Sequence, residues 1–260
     1  MKGDIVIIGG AGHIGLPLGL LFANKGKKVI LYDKDHQNIN KIKSLKMPFM
    51  EEGGLKLLKR NRKRIYATTD KRFIKNAKII IVCIGTPVKN NKPNLVYFFK
   101  MFREVKQYLN SKKLLVIRSS IYPGTCVKIK KYLGRNFNNI SYCPERVVQG
   151  KSISELPKLP QIVSGISKKS INQSQKLFKL ICGKIIITSI IEAELIKLFS
   201  NAWRYINFSI SNQFYQISEN FNINFKELRK NMIEGYERNK SMPKAGFAAG
   251  SCLYKDTAQL

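Results

Sequence analysis

Residues 4–20 read DIVIIGGAGHIGLPLGL. Ile5 to Ile8 form a short β-branched run, the pattern of a buried strand. Gly10, Gly12 and Gly15 follow at G-x-G-x-x-G spacing, and an apolar helical stretch then runs to a stop at Gly26. A second strand pattern, KVILYDKD at residues 28–35, carries Asp33 near its tip, 18 residues after Gly15. The glycines alone are a weak signal. Strand, glycine turn, helix, strand and acid in that order define a dinucleotide-binding βαβ unit. Gly10 is expected to make the tight turn, Gly12 to let the backbone approach a pyrophosphate, and Gly15 to let the helix pack on the strand. His13 and Ile14 open the helix, whose first amides favour an anion. Asp33 accepts ribose hydroxyls and repels a 2′-phosphate, so NAD is expected over NADP. Lys34 beside it weakens that preference.

The alternation continues downstream. AKIIIVCIGTP is a strand stopped by Pro87, NLVYFFKMFREVKQYL is helical, and KKLLVIRSS is a strand. PGTCVKIKKYLG opens a helix with Pro123, NISYCPE is a short strand, and PQIVSG and GKIIITS are two more around a helix. Strands alternating with helices predict an α/β fold, a Rossmann-like doubly wound and mostly parallel sheet. From Ile190 more than 30 residues pass without Gly or Pro. Leu195, Leu198, Phe199, Ala202, Ile206 and Ile210 recur there at helical spacing, which predicts a long helix that links units or forms a dimer seam. The expected division is a dinucleotide domain over 1–188 and a helical region over 189–260.

The 260 residues include 44% apolar side chains and a net charge of +31. The composition is globular, and the N-terminus shows no signal-peptide pattern. No apolar run reaches the length of a membrane helix, so no membrane partner is expected. The positive charge is mostly Lys spread along the chain, without a nucleic-acid motif, so no dedicated nucleic-acid site is expected either. Five cysteines lack CxxC spacing, which excludes a zinc ribbon or disulfide framework; no metal is expected, and a reducing, cytoplasmic setting is. Cys83, Cys126, Cys143 and Cys182 fall in apolar patterns and read as packing residues. Cys252 differs. It lies in GFAAGSCLYKD, among small residues that leave a thiol accessible, with Lys255 close by to lower its pKa.

Six stretches in order carry a resemblance: IGGAGHIGLPLGL, IGTPV, SSIYPGT, YCPERVVQGK, EAELIKLFSNAWRY and GFAAGSCLYKD. With them the chain resembles the nucleotide-sugar dehydrogenases, the UDP-glucose and UDP-N-acetylmannosamine 6-dehydrogenase family. The resemblance implies a two-step, NAD-dependent oxidation of a UDP-sugar alcohol to a carboxylate, of the UDP-glucose to UDP-glucuronate type first and on UDP-N-acetylmannosamine as the alternative, within polysaccharide biosynthesis. It implies Cys252 as nucleophile, because an aldehyde gives up a second hydride only after a thiolate has added to it. It implies Lys197 and Asn201, at i and i+4, as donors to a developing alkoxide. Asp256 would orient water or Lys197, Glu145 would activate water, and Ser120 would keep the hydroxyl of the family's Ser-Thr pair. Thr86 and Pro87 join the cofactor site. Gln149 replaces a second Glu found in many members, so hydrolysis would rest on Glu145. The resemblance further implies a homodimer through the central helix and a C-terminal nucleotide-sugar domain that these residues do not include; a fragment is expected, and an NAD-binding remnant without turnover is the alternative. β-Hydroxyacid dehydrogenases share the long helix with Lys and Asn, but they need no cysteine.

Overall fold

The computed structural model describes residues 2–89, 92–247, 251–258 and 260, and the side chain of Cys252 lies outside what is described. The chain forms two compact units, Met1–Pro87 with Asn94–Lys197, and Val88–Pro93 with Leu198–Leu260.

The first unit begins with β1 (Ile5–Ile8), α1 (Gly15–Asn24) and β2 (Val29–Tyr32). It continues through α2 (His36–Lys43), α3 (Gly54–Arg60), β3 (Ile65–Thr68) and β4 (Ile79–Val82). A short hairpin, β5 (Val88–Lys89) and β6 (Lys92–Pro93), belongs to the second unit. The first unit resumes with α4 (Val96–Val105), β7 (Leu114–Ile117), α5 (Thr125–Leu133), β8 (Ile140–Tyr142) and α6 (Ser152–Glu155). It ends with β9 (Gln161–Gly165), α7 (Lys168–Phe178), β10 (Ile185–Ile187) and the first turns of α8 (Ile190–Asn220).

Eight strands form one sheet in the order β10-β9-β8-β7-β4-β1-β2-β3. β1 lies between β2 and β4, with Ile5 opposite both Val29 and Ile79. Every residue of β1, β2 and β7 is buried, as a parallel sheet covered on both faces demands. Successive side chains alternate between two cores. Ile5 and Ile7 meet Leu16, Leu20 and Phe178 on one face, while Val6 and Ile8 meet Phe98, Phe102 and Ile129 on the other. Each such side chain contributes about 1.5–3 kcal/mol by leaving water. The sheet is mostly parallel, as expected, and reverses at β9, which runs antiparallel to β8. Pro123 is also not the first helical residue. Pro123 and Gly124 form a turn, Gly124 sits at φ +83°, and α5 starts at Thr125.

α8 is one helix of 31 residues. Its start is a capping box: Ser189 Oγ accepts from the Glu192 N–H, and Glu192 accepts the Ser189 N–H and the Thr188 hydroxyl. Its apolar residues do not form one face. Leu198 and Ala202 are buried, whereas Phe199, Trp203, Ile206 and Ile210 are exposed. In the second unit α8 is followed by α9 (Phe225–Ile233) and α10 (Ser251–Thr257). Ser211 donates to the Pro243 carbonyl, Arg229 to those of Met242 and Pro243, and Asn212 exchanges two hydrogen bonds with the Gly246 backbone. These bonds pin the segment leading to α10 along α8.

Candidate active site

The glycine turn sits at the C-terminal end of β1. Its left-handed residue is Gly9, at φ +81°, where a Cβ would lie 2.7 Å from the Cys83 carbonyl oxygen. The tight-turn role expected of Gly10 therefore belongs to Gly9. Gly10 instead allows close approach of β2, since a Cβ there would stand 2.7 Å from Leu31 Cα. A Cβ on Gly15 would fall 2.1 Å from the Gly9 oxygen, so Gly15 closes the helix onto its own turn. Gly12 is different. Its Cβ would meet only the Gly9 oxygen, at an ordinary 3.5 Å. The fold does not require glycine at that position, and the open space beside it leaves room for a ligand to approach the backbone.

Asp33 follows β2 and faces this turn. Its Oδ2 accepts the Ala11 N–H at 2.9 Å and its Oδ1 the Asp35 N–H at 3.2 Å. Each oxygen keeps a lone pair for a ribose hydroxyl. Lys34 is paired with Glu104 at 2.7 Å, so its charge is compensated beside Asp33. α1 has no acidic residue in its first turn and no side-chain cap, which leaves its dipole for an anionic group. His13 stacks on Phe49 with ring centroids 3.9 Å apart, and this partial burial lowers its pKa against a smaller opposing pull from Glu51. Ile14 is the N-cap of α1. These residues fit an NAD molecule: room at Gly12, a helix N-terminus, and a carboxylate for the ribose.

Across the same end of the sheet, Thr86 is buried and donates its hydroxyl to the Ser120 carbonyl, and Pro87 beside it is exposed. Glu145 is buried against Arg118. Arg118 also donates to the Cys143 carbonyl at 3.1 Å and Gln161 Oε1 at 2.9 Å, and its guanidinium lies 5.0 Å from the Phe178 ring centre. Glu145 Oε1 accepts the N–H groups of Arg146 and Val147 at 2.8 and 3.0 Å. Sequence reasoning passed over Arg118. A lone cation at the end of LLVIR was the available signal, because a buried charge needs a partner. It also passed over Glu194. That side chain is fully buried on α8, and its oxygens accept from Gly124 N–H at 2.6 Å and Cys126 N–H at 2.9 Å. Burial raises its pKa, against those same hydrogen bonds. Glu194 thus holds the start of α5 against α8, one turn before Lys197.

In the second unit Asn201 donates its amide to Asp256 Oδ2 at 2.6 Å, and both are buried. Lys255 Nζ lies 3.3 Å from Asp256 Oδ1. Cys252 is the second residue of α10, so its backbone lies inside a helix rather than in a loop before one. Lys197 is half-buried one turn before Asn201. The other four cysteines match their expected packing role. Burial pushes the thiols of Cys83 and Cys143 up to about 12 and that of Cys182 to about 11, and raises Cys126 well above its ordinary value. Among the described residues no cluster of His, Cys, Asp and Glu is placed to hold a metal, and no helix is long and apolar enough to cross a membrane.

A buried, mostly parallel sheet with this glycine turn and a carboxylate facing it defines a Rossmann-type, NAD-binding protein. The chain belongs to the UDP-glucose/GDP-mannose dehydrogenase family: residues 4–182 match the family's NAD-binding domain and residues 191–260 its central domain. A UDP-N-acetyl-D-mannosamine dehydrogenase of Methanococcus maripaludis is 33% identical over 83% of this chain and 51% of its own length. One from Pyrococcus horikoshii is 30% identical over 95% of this chain and 61% of its own. A UDP-glucose 6-dehydrogenase of Rickettsia conorii is 27% identical over 96% and 60%. The solved structure of the Pyrococcus horikoshii UDP-D-ManNAc dehydrogenase superposes with a TM-score of 0.92 at 28% identity, covering 99% of this chain and 63% of that one. The chain spans about half to three fifths of the length of these relatives.

Proposed function

We propose that this chain carries the NAD-binding and thiol-bearing parts of a UDP-sugar 6-dehydrogenase, with the cofactor domain over 1–188 and a helical region over 189–260. The observation that carries this reading is the buried Asn201–Asp256 hydrogen bond, which ties the Lys197–Asn201 helix to the helix bearing Cys252. A substrate of the UDP-N-acetylmannosamine class is favoured by the names of the relatives at 30% identity or more; UDP-glucose is the second reading, supported by the Rickettsia relative.

Bound NAD supplies the hydride acceptor for both oxidations. Gly12 admits its pyrophosphate to the backbone, Asp33 takes its ribose hydroxyls, and His13, Ile14, Thr86 and Pro87 border it. Lys197 and Asn201 donate to the sugar's C6 oxygen as negative charge develops there. The hydroxyl proton passes to solvent as the alcohol becomes an aldehyde. The Cys252 thiolate then adds to the aldehyde carbon, the C=O π pair moves to oxygen and takes up a proton, and the thiohemiacetal so formed has a second hydride to lose. The resulting thioester is cleaved by water, which breaks the C–S bond and returns the thiolate. Glu145 is the base for that water. A carboxylate offers about four lone-pair sites. Arg118 and two backbone N–H groups take three, leaving one for the water. Asp256 positions Asn201, and Ser120 contributes a hydroxyl. The exposed stripe of Phe199, Trp203, Ile206 and Ile210 supports a homodimer along α8.

The test is a steady-state assay with UDP-N-acetylmannosamine, UDP-glucose and NAD on this chain and on a version extended by a relative's remaining residues. NAD reduction by the extended chain, lost in Cys252→Ala, is expected. NAD binding without reduction of NAD in either chain would favour the non-catalytic reading.

A further inference from the structure

The two ends of the parallel sheet are unlike in charge. The segments entering β1, β2, β3, β4 and β7, residues 2–4, 25–28, 60–64, 75–78 and 110–113, carry twelve Lys or Arg and one carboxylate, Asp4. The loops leaving the same five strands, residues 9–14, 33–36, 69–72, 83–87 and 118–124, carry four cations, Lys34, Lys71, Arg72 and Arg118, and three carboxylates. Three of those cations, Lys34, Arg72 and Arg118, are paired, with Glu104, Asp70 and Glu145. A uniform excess of Lys along the chain does not produce this division.

Backbone bonds hold the entering segments side by side. The Asp4 N–H donates to the Lys28 carbonyl at 2.8 Å, Ile79 N–H to Asp4 at 3.3 Å, and Leu114 N–H to Lys78 at 3.0 Å. Asn61, inside the run KRNRKR of residues 59–64, donates its side-chain amide to Asn24 at the end of α1 at 3.4 Å. Lys113 alone is buried, donating to the Ile74 and Lys75 carbonyls. Arg60, Arg62, Lys63 and Arg64 are exposed, as are Lys28, Lys78 and Lys112. Among the described residues none of these exposed cations has an ion-pair partner.

We propose that this end of the sheet is an electrostatic docking face for an anionic lipid surface. The shape of the array selects that partner. The cations extend ~19 Å along five strand positions. They also spread across the layers, from the ends of α1 and α3 on one side to Lys75 on the other. A plane meets the whole array, whereas a duplex of nucleic acid meets a stripe of it. No exposed aromatic side chain lies in these segments to stack on unpaired bases, and no helix projects from them to enter a groove. Clustered Lys and Arg draw a protein to anionic headgroups without apolar insertion, with a strength that salt screens. Docking this end leaves the glycine turn and Asp33, at the opposite ends of the strands, facing away from the bilayer.

The experiment is co-sedimentation of the chain with phosphatidylcholine vesicles, with and without about 30% phosphatidylserine. R62E/K63E/R64E is compared with K226E/K230E/K244E, which alters the net charge equally in the second unit. Expected are binding to the anionic vesicles alone, falling with salt, and a loss of roughly tenfold or more in the first variant only. NADH affinity should be unchanged in both, which shows that the first unit is folded. Equal binding to neutral vesicles, equal loss in both variants, or a first variant that loses duplex RNA binding while keeping vesicle binding would each overturn the proposal.

Discussion

Asn201 on α8 and Asp256 on α10 are joined by a 2.6 Å hydrogen bond with both side chains buried. Removing one partner strands the other, at a cost of about 1–3 kcal/mol. N201A and D256A should therefore each speed hydrogen exchange in α10. The double variant should be less destabilised than the sum of the two, by at least about 0.5 kcal/mol in a denaturation cycle. Strict additivity would show that the contact carries no energy.

Gly12 and Gly15 should separate stability from cofactor binding. G15A forces a Cβ within 2.1 Å of the Gly9 oxygen and should lower Tm by several degrees. G12A meets its nearest neighbour at 3.5 Å and should leave Tm unchanged while weakening NADH, read by fluorescence titration. A G12A chain that binds NADH normally would remove the pyrophosphate from that position.

Asp33→Ala should weaken NADH by about tenfold or more and NADPH far less, because only the former uses the carboxylate on its ribose. Equal affinity of the unaltered chain for both cofactors would refute the assignment.

Thiol labelling should single out Cys252. At pH 8 the thiols of Cys83, Cys143 and Cys182 sit at about 12, 12 and 11, and Cys126 is also raised, so all four stay protonated and slow toward iodoacetamide. Peptide mapping after brief exposure should find Cys252 modified first. Faster modification of Cys126, Cys143 or Cys182 would contradict their burial.

Glu192 links α8 to pH. Hydrogen bonds from the Thr188 hydroxyl and from Ser189 depress its pKa to about 2. Its folded pKa lies below the ordinary carboxylate value, so its contribution is present above about pH 4.3 and is lost as pH falls toward 2. E192Q should thus exchange the first amides of α8 faster than the unaltered chain at pH 6, and at the same rate near pH 2.

Much of this was readable beforehand. The first βαβ unit and the long helix follow from short-range pattern: β-branched runs, glycine spacing and unbroken helical periodicity. β3, α2 and α3 were missed because residues 36–68 are polar and turn-rich, and β3 owes its strand to pairing with β2. The tight-turn role falls on Gly9 rather than Gly10, since φ is set by the turn's three-dimensional closure onto Cys83, which spacing does not encode. What Arg118 and Glu194 bond to is not readable from spacing for the same reason. Their partners lie 27 and 70 residues away.

The reversed strand β9 has a consequence for how the Arg118 charge is assembled. In a parallel strand, the residue at this height would be the last one, free to adjust with the loop that follows. Because β9 runs the other way, its first residue, Gln161, stands there, held by the rungs Tyr142–Ser164 and Ser141–Gly165 below it. Gln161 therefore behaves like the tooth of a gauge. A slip of two residues keeps every β9 side chain on its own face but carries the amide ~6.6 Å from Arg118. Such a misregistered edge would satisfy the apolar cores yet break the buried bonds of Gln161 to Arg118 and to the Pro144 carbonyl and of Ser164 to the Tyr142 carbonyl, so a few polar contacts proofread the alignment of the sheet's outer strands.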